Sequence, residues 1–205
     1  QGGLEVLETD VLGKVKQLER GNQDDLTLIA APAAGHAINW LLSPRGLLDA
    51  VRVGPVRAQA EDVIELLSDP ARCRVALVTL PEETPVNELV DTAFALEDRV
   101  GVKLAPVIVN AVPDALPIDG HRAAIDAAEA GVTVTTSDAE ALDAAAAFRN
   151  VRHELALEQA TRLARRLPLP QLHLPYVFGE IGPDDVEVLA DALTAGIAAL
   201  PAPQP

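Results

Sequence analysis

The 205-residue sequence has no methionine, a single cysteine and only 2% aromatic residues. One cysteine excludes both a disulfide and a cysteine-rich zinc site within these residues. Cys73 opens an apolar run, and we interpret it as a small buried hydrophobic side chain. Because 49% of the residues are apolar while aromatics are scarce, the core must be built from Ala, Val, Leu and Ile.

Basic residues and long apolar runs are also scarce. Lys and Arg number 16 against 31 Asp and Glu, a formal charge of -15, which argues against a nucleic-acid partner. No apolar run reaches the roughly 18 residues of a membrane span, and no signal peptide opens the sequence. We therefore expect a cytoplasmic protein with no stable membrane insertion.

The residues present are organised around the segment 25–36, DLTLIAAPAAGH. Its apolar run at 26–29 predicts a strand covered on both faces of a parallel sheet. Small and turn-forming residues follow, and His36 opens a helical pattern. Ligands of open α/β sheets lie at the carboxyl ends of strands and beside helix N-termini, so this loop is a candidate site. An ordinary strand-to-helix connection explains it equally well.

The rest of the chain alternates strand and helix patterns, which predicts a parallel sheet flanked by helices. Further strands are predicted at 74–80, 104–109 and 171–174, and helices at 3–21, about 37–42, 45–52, 56–68, 86–100, 138–167 and 183–200. Ser43-Pro44 and Gly54-Pro55 separate the three helices after the first strand, and we expect 37–69 to be a helical insertion.

Local signals place several helix ends. Thr84 is a predicted cap with Pro85 in the first turn, and Ser137 or Asp138 caps the longest helix. The Thr-rich stretch before that helix, VTVTT, is a possible short extended piece. Near its end lie three arginines that suit either the helix dipole or an anion: Arg162, Arg165 and Arg166.

Four segments, in order, resemble the second half of the ArsA-like ATPases, a group of deviant P-loop NTPases. That family includes the arsenite-pump ATPase and the ATPases that target tail-anchored membrane proteins. The segments are DLTLIAAPAAGHAINWLLSPRGL (switch II and its helix), VALVTLPEETPVNEL, APVIVNAV and PLPQLHLPYVFGEIGPDDVEVLADAL (adenine-side loop and last helix). The resemblance covers about residues 26–200. It implies that 1–200 form one ATPase-like α/β domain, the C-terminal part of a longer chain, with a flexible tail at 201–205.

The resemblance also implies a nucleotide site. Asn110 would bind the adenine edge, since its carboxamide offers both a donor and an acceptor, although an Asn that simply forms a turn is the alternative. Leu174, Pro175 and Tyr176 would wall the base. The family binds ATP or ADP with Mg²⁺ and hydrolyses ATP to drive a conformational cycle in a dimer.

Switch II residues would couple this cycle to the helices at 37–69, as switch loops do when phosphate contacts order them. By resemblance these are Pro32, Gly35 and His36. The PEETP turn, with Pro81, Glu82 and Pro85, would shape the sugar side or the dimer partner, or serve as a structural turn.

Two departures from the family pattern bear on activity. No G-x-x-x-x-G-K-[ST] phosphate loop occurs in the 205 residues, and GKVKQ at Gly13 lacks the second glycine and the Ser or Thr. Ala30 stands where the family has the switch II aspartate, which would weaken placement of Mg²⁺ or water. We assign no catalytic and no metal-binding residue here. Either the phosphate loop lies elsewhere, or the chain is a non-catalytic partner of an active ArsA-like paralogue.

The implied client can be narrowed by composition. A metalloid site of the arsenite-pump type uses several thiols, which argues against that client for a chain with Cys73 alone. A tail-anchor groove is often Met-rich, and this chain has no Met. Four leucines could still line such a groove, so a membrane-protein client stays open: Leu41, Leu42, Leu47 and Leu48.

Overall fold

The computed structural model describes residues 2–21, 25–116 and 122–201, and it is α/β with a parallel sheet and flanking helices. Its contacts form two compact units, one of Gln1–Leu77 with Glu88–Ala105 and one of Val78–Asn87 with Pro106–Pro205. This architecture is compatible with a P-loop NTPase-like fold. No helix in the described part of the chain has both the length and the apolar content needed to cross a membrane.

The first unit is a helical cluster. Helices α1 (Gly2–Arg20), α2 (Ala34–Ala50) and α3 (Pro55–Ser68) pack pairwise, and α2 also packs on a π-helical turn at Leu96–Val100 that continues α4 (Glu83–Ala95). Its core is aliphatic, as predicted, and includes Leu12, Leu41, Leu47, Val63, Leu66 and Leu96. The predicted helix at 56–68 is confirmed as α3, with Gly54 at φ 113° before Pro55.

The predicted helix break at Ser43-Pro44 is wrong, because α2 runs through Pro44. Proline has no N–H, so the carbonyl of Trp40, four residues earlier, loses its helical donor. The Ser43 hydroxyl donates to that carbonyl oxygen at 2.8 Å. A neighbouring side chain thus replaces the missing bond, and the helix continues.

The predicted strand at 26–29 is also wrong. These residues belong to no helix or strand, and Leu26 and Leu28 are 73% and 85% exposed. β-propensity yields a strand only where a neighbour supplies hydrogen-bond partners and cover. No described strand pairs with this segment.

The second unit contains the sheet, whose parallel strands lie in the order β1 (Val78–Thr79), β2 (Val107–Val112), β3 (Gln171–Pro175). The strand predicted at 171–174 is confirmed. The one at 104–109 shifts to 107–112, and the one at 74–80 shrinks to two residues, with an isolated bridge between Val75 and Leu104. The strand ends therefore depend on which backbone groups find partners.

Three helices complete this unit: α5 (Ala123–Glu129), α6 (Thr136–Arg166) and α7 (Pro183–Ala198). α7 packs against β3, where a Cβ on Gly196 would lie 3.1 Å from Leu172 Cδ2. α5 has no counterpart among the helices predicted from the sequence. Of the predicted flexible tail, residues 202–205 lie outside the described part.

Two predicted caps are corrected. α6 is capped by Thr135 rather than by Ser137 or Asp138, and Asp138 instead completes a reciprocal capping box with Thr135. The preceding Thr-rich stretch forms no strand, because its last residues already belong to this helix start. Helix α4 begins at Glu83, so Thr84 lies inside it and cannot cap it.

Candidate functional site

The carboxyl ends of β2 and β3 bring the predicted base-site residues to one edge of the sheet. Val109 lies opposite His173, and Val112 lies opposite Pro175. Asn110 and Leu174 fall within this paired segment. Tyr176 follows directly, and its N–H donates to the Val112 carbonyl oxygen at 2.9 Å. Register therefore places Asn110 and the segment 174–176 on neighbouring strands.

A backbone irregularity lies at the centre of this edge. Ala111 has φ 57°, in the left-handed region, and the β2–β3 register shifts between Val109 and Val112. Such a bulge changes the direction in which neighbouring side chains point and is frequent beside ligand sites. The sequence does not signal it, since alanine has no preference for positive φ.

The chemistry of this edge suits a planar heterocycle. Asn110 is half-buried near the carboxyl end of β2. Leu174 and Pro175 are half-buried, and Tyr176 is 45% exposed. An amide donor and acceptor beside apolar walls is the combination that reads a base edge.

Helix α6 holds the loop that follows β2 through three side chains. One asparagine engages both backbone groups of a single residue, and an arginine and a histidine each reach a carbonyl. The bonds are Leu116 N–H to Asn150 Oδ1 (2.8 Å), Asn150 Nδ2 to Leu116 O (3.3 Å), Arg149 Nε to Asp114 O (3.0 Å) and His153 Nδ1 to Pro113 O (2.6 Å). Sequence reasoning missed these residues, because their partners lie 34 to 40 positions away.

Arginines of α6 also bind the turn of the PEETP motif. Arg162 and Arg166 both donate to Asn87 Oδ1, at 2.9 and 2.7 Å, and Arg162 also donates to the Glu83 carbonyl oxygen at 3.0 Å. Arg152 pairs with Glu82 at 3.0 Å. These contacts favour a structural role for Arg162 and Arg166 over anion binding.

The predicted switch II residues lie in the first unit. Pro32 is in the irregular segment before α2, whereas Gly35 and His36 are in the first turn of that helix. The N-cap residue Ala33 offers no side-chain cap, so the first-turn amides of α2 lack one. Beside them is an open cleft of about 370 Å³, lined by Val11, Ile29, Ala30, Pro32, His36 and Trp40.

The described residues show neither a cluster of metal ligands nor a reactive cysteine. Within the described ranges, no three His, Cys, Asp or Glu side chains converge as metal ligands. Cys73 is half-buried rather than fully buried, and desolvation raises the pKa of its thiol, which keeps it protonated and poorly nucleophilic at neutral pH.

Several known proteins are similar to this chain in sequence. No family model matches the chain. The ATPase BagA of Mycobacterium tuberculosis is 29% identical over 182 residues, which is 82% of this chain and 52% of the relative. A Halobacterium salinarum protein named an arsenical pump-driving ATPase is 32% identical over 104 residues, 47% of this chain and 16% of the relative. The chain is thus similar to proteins named ATPases over most of its length, and it spans about half of the mycobacterial relative.

Proposed function

We propose that this chain is an ArsA-like ATPase subunit, or the C-terminal half of one, that binds the base of ATP or ADP. The proposal rests on the carboxyl ends of β2 and β3. There Asn110 lies on one strand, and the segment 174–176 lies at the end of the neighbouring strand. Similarity to proteins named ATPases supports the same class of ligand.

Asn110 pairs with the adenine edge, its carbonyl accepting from the exocyclic amine and its amide donating to a ring nitrogen. Leu174, Pro175 and Tyr176 pack on the faces of the base and exclude water, which strengthens those hydrogen bonds. The bulge at Ala111 orients the carboxamide.

Phosphate and Mg²⁺ belong to another part of the assembly. The 205 residues contain no G-x-x-x-x-G-K-[ST] loop, and the described carboxylates form no metal cluster. We therefore assign base recognition to this chain and hydrolysis of ATP to its combination with a phosphate loop.

We assign the coupling between nucleotide binding and the conformational cycle to the start of α2. Pro32, Gly35 and His36 lie where the chain passes from an irregular segment into a helix, with no side chain capping the first turn. Contacts from a phosphate would order this transition and shift α2. The dimer formed in the cycle is a homodimer or a heterodimer with an ArsA-like paralogue.

The test is an ADP titration by calorimetry on the whole natural polypeptide and its Asn110→Ala variant. A base edge left without its partner costs about 1 to 3 kcal/mol, so the variant should bind ADP roughly tenfold more weakly. Asn39→Ala is the matched control, since Asn39 is an exposed asparagine of α2. Equal affinities for the parent and Asn110→Ala would overturn the base-site assignment.

A second function, a non-catalytic partner of an active paralogue, is favoured by Ala30. If this alanine replaces the switch carboxylate, Ala30→Asp should raise ATP turnover when the rest of the site is present. Phosphate release by the nucleotide-bound parent and variant measures this. An unchanged rate in a folded, ADP-binding variant would count against a site degenerate at this position.

A further inference from the structure

One side chain of α6 contacts both loops that leave the proposed base edge. Arg149 donates its Nε–H to the Asp114 carbonyl oxygen, in the loop after β2, at 3.0 Å. Its guanidinium carbon lies 4.7 Å from the centroid of the Phe178 ring, in the loop after β3. A guanidinium can do both at once, because its edge donates while its plane covers a ring.

The contact continues to the base wall. Phe178 meets Tyr176 edge to face, with centroids 4.8 Å apart and planes at 69°. The Tyr176 backbone N–H donates to the Val112 carbonyl oxygen, while Tyr176 as a whole is 45% exposed and its ring packs against that of Phe178. Phe178 is itself 65% exposed, and Arg149 covers one face of it.

We propose that Arg149 is a positioning residue that fixes the aromatic wall of the base site by holding Phe178 against Tyr176 while anchoring the loop after β2. The inference rests on the proposed nucleotide function for its purpose, and on geometry alone for the linkage. Lysine cannot replace Arg149 fully, since an ammonium is a point charge that cannot present an edge and a face together.

The linkage is tested by ¹⁹F NMR of the whole natural polypeptide labelled with 3-fluorotyrosine. Tyr176 is the single tyrosine of these 205 residues, and a Tyr176→Phe variant assigns its resonance. Arg149→Ala should shift or broaden that resonance without nucleotide, and Arg149→Lys should do so less. Arg165→Ala removes the same charge from an exposed position of α6 and should leave it unchanged.

A double-mutant cycle shows whether Arg149 acts through Phe178. In a Phe178→Ala background, Arg149→Ala should add little to the change in the Tyr176 resonance. A change just as large in that background would overturn the linkage, as would an unaltered resonance in Arg149→Ala itself.

Nucleotide binding supplies the second readout. Since aromatic packing on a base is tolerant of its identity, Arg149→Ala should weaken ADP and GDP alike, by about threefold, whereas Asn110→Ala should change their ratio. ADP affinity unchanged in Arg149→Ala, with Asn110→Ala weakened, would remove the positioning role and leave the proposed function standing. No ADP binding by the parent would instead defeat the proposed function, while the Tyr176 resonance would still decide the linkage.

Discussion

At the scale of single residues, the geometry of the carboxyl end of β2 depends on backbone conformation as well as on side chains. Ala111 occupies the left-handed region, which costs an L-residue with a Cβ about 1 kcal/mol or more. The surrounding hydrogen bonds of β2 and β3 maintain it. The strained residue directly follows Asn110. A change in backbone direction there would therefore change the direction of the Asn110 carboxamide.

Replacing Ala111 by glycine should leave the free energy of unfolding within about 0.5 kcal/mol of the parent, because relief of strain offsets the greater entropy of the unfolded chain. Valine, which is β-branched, should destabilise by about 1 to 3 kcal/mol. Urea denaturation measures both. The control Ala144→Gly, at an exposed helical position in α6, should lose about 1 kcal/mol. An equal loss in Ala111→Gly would contradict the strained bulge.

His173 gives a prediction for pH. Desolvation lowers its pKa below the ordinary 6.5, so the unfolded chain takes up the proton before the folded chain does. Stability should therefore fall as pH drops below 6.5, down to the folded pKa, and this part of the fall should be absent in His173→Gln. Chemical denaturation of both proteins across pH 5 to 7.5 tests it. A variant with the same slope as the parent would exclude His173 as its source.

At the scale of elements, α2 shows how one hydroxyl can keep a proline-containing helix continuous. Ser43 is 4% exposed, and its Oγ satisfies the Trp40 carbonyl that Pro44 leaves without a backbone donor. The helix therefore continues without a break from Gly35 and His36, in its first turn, through Pro44. A break at Pro44 would uncouple that first turn from the packed end of the helix.

Ser43→Ala should therefore destabilise by about 1 to 3 kcal/mol, the cost of leaving a buried carbonyl without a partner. In a Pro44→Ala background the backbone N–H returns, so the same serine substitution should cost less. Thermal or urea unfolding of the four proteins of this cycle gives the coupling. Additive effects would show that the serine does not compensate for the proline.

At the scale of the whole molecule, the sheet and its helices leave much apolar surface in water. The segment 26–29 has exposed leucines and no paired strand among the described residues. On α7, no residue is buried, and Val186 and Ile197 are more than half exposed. The chain also spans about half of its mycobacterial relative. The exposed apolar side chains favour association with other apolar surfaces.

Expressed alone, the 205 residues should self-associate, because extended apolar segments without a strand partner promote pairing between chains. Leu28→Lys should lower the mass measured by light scattering, whereas Val53→Lys should not, since Val53 is an isolated exposed residue in a turn. Added salt should increase association by screening the charge of -15. A monomeric parent with one cooperative melting transition would contradict this and favour the non-catalytic partner.

The α/β class, the aliphatic core, α3, α7 and the strand at 171–174 could all be predicted from the sequence. Those elements have a clear hydrophobic period bounded by Gly or Pro, so local preference and burial agree. The sequence also supplied the site residues Asn110, Leu174, Pro175 and Tyr176, whose order along the chain matches a family pattern. Their role stays a prediction.

In other places strand pairing and backbone hydrogen bonding overrule the local preference of the sequence, and these places depend on tertiary contacts. The apolar run at 26–29 is no strand because it lacks a partner, and α2 passes Pro44 because Ser43 supplies a hydrogen bond. The bulge at Ala111 occurs where two strands that are distant in sequence pair. Arg149 contacts Asp114 and Phe178, which are also distant from it in sequence. Hydrogen bonds and ring contacts of this kind depend on distances in space, which residue spacing along the chain does not encode.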